Sequence, residues 1–120
     1  MKRVLVVEDD RRLRAQLIQI LSTIEGVEVV GYAENGLDGL RQAKRLLPDL
    51  ITMDIEMPGI NGLDAIREIR RNEIAAKIIM VTSLNTKDKV FEAIRHGADH
   101  YILKPFDNAK LAQTIKDCMG

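Results

Sequence analysis

Five short apolar runs, rich in β-branched residues, alternate along the chain with longer stretches of helical spacing, and this alternation constrains the fold most. The runs span residues 4–7, 27–30, 50–53, 78–81 and 101–103 of the 120-residue chain. The first, third and fourth are almost wholly apolar, as strands covered on both faces should be. Repeats of strand then helix require a parallel sheet with right-handed crossovers and a layer of helices on each face.

The residues after the first run decide between the two common strand orders of such sheets. A dinucleotide-binding fold has G-x-G-x-x-G after its first strand, whereas this chain has E-D-D-R-R at residues 8–12. We therefore predict one doubly wound α/β domain over residues 1–120. It should be a (βα)5 three-layer sandwich whose five parallel strands follow the flavodoxin-like order 2-1-3-4-5.

Between the apolar runs lie residues that typically begin or end a helix. The candidate N-terminal caps are Asn35, Asn61, Thr86 and Asp107. Pro48 is placed to stop the second helix. Apolar residues at helical spacing predict which helix faces pack on the sheet, and in the fourth helix this stripe is short, with Val90 and Ile94 only.

Composition excludes several classes of function. The chain has 18 Lys+Arg against 18 Asp+Glu, so it lacks the excess of basic residues that nucleic-acid binding requires. The first helix carries three arginines, Arg11, Arg12 and Arg14, and we expect them to form a solvent-exposed face. Cys118 is the single cysteine, which precludes an internal disulfide. No apolar run approaches the length of a membrane span, and no export leader opens the chain. We expect a cytoplasmic domain that binds neither nucleic acid nor membranes directly.

Acidic, hydroxyl and lysine side chains directly follow the predicted strands, at the edge of the sheet where the carboxyl ends of all five parallel strands lie. Glu8 and Asp9 follow the first strand, Asp54 the third, Thr82 the fourth and Lys104 the fifth. The three acidic residues should crowd the crevice between strands 1 and 3, where ligands bind in this strand order. Two like charges about 4 Å apart repel by roughly 4 kcal/mol at an effective dielectric constant near 20. Such an all-oxygen cluster suits Mg²⁺ better than zinc.

These residue types together predict phosphoryl transfer to an aspartate. That reaction needs a carboxylate nucleophile, a divalent ion, a cationic side chain and a hydroxyl donor, because catalysis there is mostly alignment and neutralisation of charge. Asp54 is the natural acceptor because it follows the central strand, between the acidic pair and the Lys104 side. The alternative is that the acidic residues only begin loops and cap helices, as we expect of Asp10.

Four motifs, taken in order and spacing, resemble the receiver domain of two-component response regulators. They are VVED at 6–9, MDIEMPGING at 53–62, VTS at 81–83 and YILKPF at 101–106. The resemblance covers the whole chain, and the coincidence of four motifs is far more specific than any one of them. In length the chain is most similar to the single-domain chemotaxis type.

The resemblance implies the roles of the acidic residues. Asp54 would accept a phosphoryl group from the phosphohistidine of a histidine kinase. Mg²⁺, or Mn²⁺ in its place, would be bound directly by Asp9, Asp54 and the backbone carbonyl of Glu56. Glu8, where many family members have Asp, would act through a bound water. Glu56 and Leu84 match variable positions that tune the lifetime of the phosphoryl group.

The resemblance also implies how phosphorylation is bound and read. Thr82 and the backbone N–H of Ser83 would bind phosphate oxygens, and Lys104 would pair with the phosphoryl group. Tyr101 matches an aromatic residue that swings with activation, although packing in the core is the alternative for a strand aromatic. Helix 4, strand 5 and helix 5 would form the output surface. The bond between Lys104 and Pro105 is expected to be cis.

The implied partners are a sensor histidine kinase or phosphotransfer protein, and either an output protein or a fused output domain absent from these 120 residues. The chain would assist its own phosphorylation and dephosphorylation without being an enzyme for an external metabolite. One rival is a Mg²⁺-dependent aspartate-nucleophile phosphatase, which would carry D-x-D after its first strand and an inserted cap. Another is a phosphorylation-independent docking module, which would be expected to lack Asp54, Asp9 or Lys104.

Overall fold

The predicted alternation of strands and helices is present throughout the computed structural model, which describes residues 1–57, 59–83 and 87–119. The strands are β1 (Lys2–Val7), β2 (Val27–Ala33), β3 (Leu50–Met53), β4 (Lys77–Thr82) and β5 (His100–Leu103). The helices are α1 (Arg11–Ser22), α2 (Gly36–Leu46), α3 (Gly62–Arg71), α4 (Lys87–His96) and α5 (Asn108–Met119). Among the residues described, no helix has the length and apolar character needed to span a bilayer.

The strands form one parallel sheet in the order β2-β1-β3-β4-β5, which confirms the predicted topology. The register aligns the carboxyl ends of the three central strands, because Val7 of β1 lies opposite Met53 of β3 and Met53 lies opposite Met80 of β4. Thr82 of β4 is paired in turn with Leu103 of β5. The residues that follow these strands therefore emerge along one edge of the sheet.

The core lies on both faces of the sheet, because successive side chains of a strand point to opposite sides. Val4 and Val6 of β1 pack in the cluster that includes the apolar residues of α1 and α5, whereas Leu5 and Val7 pack in the cluster shared with α2, α3 and α4. All four residues of β3 are buried, as predicted for a strand covered twice.

The predicted helix caps are present wherever the structure describes them. Asn35 and Asn61 each accept a hydrogen bond from the backbone N–H three residues ahead, at 2.8 and 3.0 Å. Asp107 accepts from the N–H two residues ahead at 2.7 Å. The helix α2 ends at Leu46, just before Pro48. The proposed cap Thr86 and the variable position Leu84 lie outside the described residues.

The predicted apolar stripe of α4 is wrong in part. Ile94 is 44% exposed, Val90 is half-buried, and Ala93 is the buried residue among those described in this helix. The helix packs on the core through the small side chain of Ala93, and the larger Val90 and Ile94 lie at the edge of that contact. Phe91 is 65% exposed in the same helix.

Candidate functional site

Three carboxylates from two strand ends meet in the crevice between β1 and β3. Glu8, Asp9 and Asp54 each offer an oxygen that lies within 4.8 Å of the other two. Glu8 is 1% exposed and Asp54 3% exposed, while Asp9 is exposed. The acidic residues expected at this edge are therefore brought together, with two of them almost fully removed from solvent.

The β1–α1 loop holds Glu8 through its backbone and its side chain. Its N–H donates to the carbonyl of Ala33 at 3.0 Å, and its own carbonyl accepts from the Arg14 guanidinium at 2.9 Å. The Glu8 Oε2 atom accepts from the backbone N–H of Asp10 at 3.2 Å. The Asp10 carboxylate in turn caps α1, as expected. Asp9 thus lies between two residues whose positions are fixed.

Lys104 connects the two buried carboxylates. Its Nζ atom lies 3.0 Å from Glu8 Oε1 and 3.2 Å from Asp54 Oδ2. The other Asp54 oxygen, Oδ1, accepts from the backbone N–H of Glu56 at 3.0 Å. Both oxygens of Asp54 are therefore held. The bond between Lys104 and Pro105 is cis, as the family resemblance implied.

Burial has the largest influence on the pKa values of this cluster. Burial raises the pKa of Glu8 from 4.5 to about 7; the paired ammonium of Lys104 opposes this rise and the Asp54 charge adds to it. Burial likewise raises the pKa of Asp54, against the lowering effect of the Glu56 N–H and of Lys104. For Lys104 burial acts to lower the pKa, but the pairing with Glu8 and Asp54 outweighs it, so the pKa is raised.

The donor set fits a hard divalent cation. Glu8 and Asp54 share a single ammonium and the exposed Asp9 adds a third carboxylate beside them, so ionisation of all three leaves net negative charge in the cluster. Carboxylate oxygens are the ligands that Mg²⁺ prefers, and the strand-end geometry leaves the exposed side of Asp9 open to water, which Mg²⁺ usually retains. The chemistry of the residues is thus compatible with the expected metal.

The remaining expected site residues lie at the ends of β4 and β5. Thr82 is 1% exposed at the end of β4, and its carbonyl accepts from the backbone N–H of Lys104 at 2.9 Å. The Ser83 hydroxyl donates to the Glu56 carboxylate, a side-chain contact between two loops that the sequence did not indicate. Tyr101 is 45% exposed, so its side chain is not packed in the core.

An open groove of about 660 Å³ lies beside Lys104, between α1 and the β5–α5 loop. Its lining includes Arg12, Leu13, Gln16, Ser83, Lys104 and Phe106. The groove combines apolar side chains with a cationic group that also contacts Asp54.

Arg14 is a buried residue that the sequence reasoning placed wrongly on a solvated face. Its exposed fraction is 8%, and its guanidinium carbon lies 5.0 Å from the centre of the Tyr32 ring. A further nitrogen lies 3.5 Å from Glu34 Oε1. A signal was present, since residue 14 shares a helix face with the buried Leu17 and Leu21 at i+3 and i+7.

The start of α3 lies against the backbone of the candidate acceptor. A Cβ atom on Gly62 would collide with the Asp54 carbonyl and would lie 2.6 Å from the Cα of Ile55. The Gly62 N–H donates to the carbonyl of Ile55 at 3.1 Å. Only a residue without a side chain permits this close approach.

Comparisons with known proteins agree with this geometry. The family model described as the response regulator receiver domain matches residues 4–116. The chain is 42% identical to the chemotaxis protein CheY of Thermotoga maritima over 114 residues, which cover 95% of this chain and 94% of the relative. It is 38% identical to CheY of Bacillus subtilis over 118 residues, 98% of each protein.

Solved structures give the same result. The response regulator domain of CheB from Thermotoga maritima is 36% identical, with a TM-score of 0.88 and coverage of 99% of this chain and 94% of that one. A CheY from Borrelia burgdorferi, solved as a CheX-CheY-BeF3-Mg complex, is 29% identical with a TM-score of 0.93, covering 99% and 90%. The chain therefore belongs to the family of response regulator receiver domains.

Proposed function

We propose that this chain is a Mg²⁺-dependent signalling switch that accepts a phosphoryl group on Asp54. The donor would be the phosphohistidine of a sensor histidine kinase or of a phosphotransfer protein. The observation that carries the proposal is the position of the Asp54 carboxylate. It is buried, held through both oxygens by Lys104 and the Glu56 N–H, and lies within 4.8 Å of Glu8 and Asp9.

In this reaction an oxygen of Asp54 attacks phosphorus as the P–N bond to the donor imidazole breaks, and the electron pair of that bond remains on the imidazole nitrogen. Lys104 then pairs with the oxygens of the transferred group, which it can reach because its ammonium already contacts Asp54 at 3.2 Å. We assign the Thr82 hydroxyl and the Ser83 N–H to the other phosphoryl oxygens. The metal, when bound, neutralises charge on the transferred group.

Glu8, Asp9, Asp54 and the Glu56 carbonyl are the groups we assign to the metal. Three of these offer carboxylates that repel one another without a cation, which supports the assignment. Mn²⁺ has similar ligand preferences and should substitute for Mg²⁺. The groove beside Lys104 is our candidate for the docking site of the phosphodonor, because Lys104, which contacts Glu8 and Asp54, is one of the residues that line it.

The output surface is proposed on α4, β5 and α5. Four large apolar side chains are exposed there, and we call them the α4–β5 patch: Phe91, Ile94, Tyr101 and Leu103. Basic residues lie on the same elements: Lys87, Lys89, Arg95 and Lys110. Exposed apolar groups with a charged border are typical of a protein–protein interface. The CheX complex of a related CheY supports a protein partner for this domain.

The acceptor can be tested by intact-protein mass spectrometry after incubation with acetyl phosphate and Mg²⁺. Wild type should gain the mass of one phosphoryl group, and Asp54→Asn should gain none because the nucleophilic oxygen is lost. Asp117→Asn, an exposed position on α5, is the matched control and should be labelled like wild type.

Each other outcome identifies a rival. Labelling of Asp54→Asn at the wild-type rate would place the acceptor elsewhere. Continuous turnover of a phosphate ester by the wild type would favour an aspartate-nucleophile phosphatase. Failure of the wild type to take up label, with Mg²⁺ and a folded protein verified by circular dichroism, would favour a docking module that works without phosphorylation.

A further inference from the structure

Arg14 is a buried charged residue outside the proposed phosphoryl-transfer machinery. It lies in the first turns of α1, and its side chain is 10% exposed. Three groups surround the guanidinium: the Glu8 carbonyl at 2.9 Å, the Glu34 carboxylate at 3.5 Å and the face of Tyr32 at 5.0 Å. A buried arginine needs such partners, because an unpaired buried charge is strongly unfavourable.

The bond to Glu8 connects this arginine to the acidic cluster through the backbone. The accepting carbonyl belongs to the peptide between Glu8 and Asp9. A peptide unit is planar, so fixing its carbonyl also fixes the direction of the Asp9 N–Cα bond. On one side of this peptide the N–H of Glu8 donates to the carbonyl of Ala33, and on the other side Asp10, which follows Asp9, caps α1. Arg14 thereby holds the one remaining backbone group of Glu8.

We propose that Arg14 is a positioning residue for the metal site: its hydrogen bond to the Glu8 carbonyl orients the Glu8–Asp9 peptide, and with it the two carboxylates that would hold a cation together with Asp54. The inference rests on the proposed metal role of Glu8 and Asp9. Residues that orient ligands in this way commonly affect metal affinity although they do not touch the ion. Tyr32 and Glu34 hold the guanidinium in place from β2 and the β2–α2 loop.

A purely structural role makes a different prediction. If Arg14 only packs α1 against β2, its loss lowers the melting temperature but leaves the Mg²⁺ affinity of each folded molecule unchanged. If it positions the peptide, the affinity itself falls. The dissociation constant of the folded protein is therefore the decisive measurement, and phosphorylation activity is not needed to obtain it.

The test is a Mg²⁺ titration followed by the amide NMR shifts of Asp9, Asp10 and Glu56, below the melting temperature of each variant. Arg14→Met keeps most of the side-chain length and removes all donors. We expect its dissociation constant for Mg²⁺ to rise about tenfold. Arg14→Lys keeps one donor and should show a smaller rise, since an ammonium cannot reproduce the planar, multiply bonded guanidinium.

Arg11→Met is the matched control, because it makes the same substitution at an exposed arginine of the same helix. Its Mg²⁺ affinity should equal that of wild type within error. Equal affinities for wild type and Arg14→Met would overturn the proposal. Should Arg14→Met not fold, Arg14→Lys carries the test, and an unchanged affinity in that folded variant overturns it.

Failure of this inference differs from failure of the proposed function. With saturating Mg²⁺, Arg14→Met should still be labelled on Asp54 by acetyl phosphate, because it retains every proposed ligand. A wild type that binds no Mg²⁺ would contradict the proposed function itself. A wild type that binds Mg²⁺, beside an Arg14→Met variant of the same affinity, would contradict only the role of Arg14.

Discussion

Two buried carboxyls share one ammonium at the centre of the site. Lys104 lies 3.0 Å from Glu8 and 3.2 Å from Asp54, so a single positive charge faces two acids that are each almost fully removed from water. Burial of an ionised carboxylate is unfavourable unless it is paired, and one cation cannot fully compensate two. Burial is the main cause of the raised pKa of both acids, and Lys104 opposes that rise without cancelling it.

We predict that the metal-free protein loses stability as the pH rises towards neutrality. The pKa of Glu8 is about 7 in the folded protein against an ordinary value of 4.5. Between these values the folded state binds more protons than the unfolded state, so the free energy of unfolding falls with increasing pH. The contribution of Glu8 is fully present below pH 4.5 and is lost as the pH passes through about 7.

Urea unfolding at a series of pH values, with a chelator present, measures this dependence. Glu8→Gln should flatten the slope over that interval by up to about 1.4 kcal/mol per pH unit. Glu34→Gln, an exposed acid, should retain the wild-type slope. Parallel curves for wild type and Glu8→Gln would mean that Glu8 titrates at its ordinary pKa.

At the scale of elements, α4 is held firmly at one end. Two nitrogens of Arg70 donate to the Gly97 carbonyl at 3.2 and 2.8 Å, and a third donates to Ile74 at 2.7 Å. By contrast Ala93 is the buried side chain among the described residues of α4. A helix with little buried area and one pinned end can pivot about that end, which would move Phe91 and Ile94 of the α4–β5 patch relative to Tyr101 and Leu103.

We therefore predict that the phosphoryl analogue BeF3⁻, with Mg²⁺, produces a graded response along α4. Amide NMR shifts should be large near Lys87 and Tyr101 and small at Gly97. Thr82→Ala should reduce the shifts of α4 and β5 while leaving those of the Asp54 loop, because the proposed link from phosphate to output is lost. Ser22→Ala, at an exposed position of α1, is the control and should behave like wild type. Shifts confined to the Asp54 loop in wild type would contradict this output surface.

The elements show where sequence reasoning succeeds and where it does not. The strands β1, β3 and β4 were predictable because burial on both faces leaves a continuous apolar run. The contact of α4 was not, since helical spacing does not tell which of Val90, Ala93 and Ile94 approaches the sheet. Arg14 was missed because its burial depends on a carbonyl before its own helix and on an aromatic ring in the next strand.

At the scale of the whole molecule, the fold separates stability from function. The two apolar clusters lie on the faces of the sheet, whereas the charged cluster lies at its carboxyl edge. The site residues therefore contribute little to the apolar core, and the repulsion among their carboxylates lowers the stability of the folded protein. Their positions were predictable from the strand ends alone, but their hydrogen bonds, such as that between Ser83 and Glu56, depend on loop conformations that no local pattern encodes.

We predict that Asp9→Asn stabilises the metal-free protein and weakens Mg²⁺ binding. Removing one charge relieves repulsion from Glu8 and Asp54, by an amount on the order of 1 kcal/mol at this exposed position. In wild type, Mg²⁺ should raise the melting temperature because it binds the folded state, and the variant should gain much less. Thermal unfolding with and without Mg²⁺ checks both effects, with Asp117→Asn as control. An undiminished gain in Asp9→Asn would contradict the metal assignment.

The crowding at Gly62 has a consequence for any survey of substitutions in this domain. In a library sorted by signalling output, Gly62 should tolerate change as poorly as Asp54, although it takes no part in the chemistry. Sorted by the abundance of folded protein, the two positions should separate: substitutions at Asp54 persist, while those at Gly62 disappear because a side chain there displaces the Asp54 backbone. A screen for signalling output alone would therefore not distinguish the steric constraint at Gly62 from the chemical requirement for Asp54.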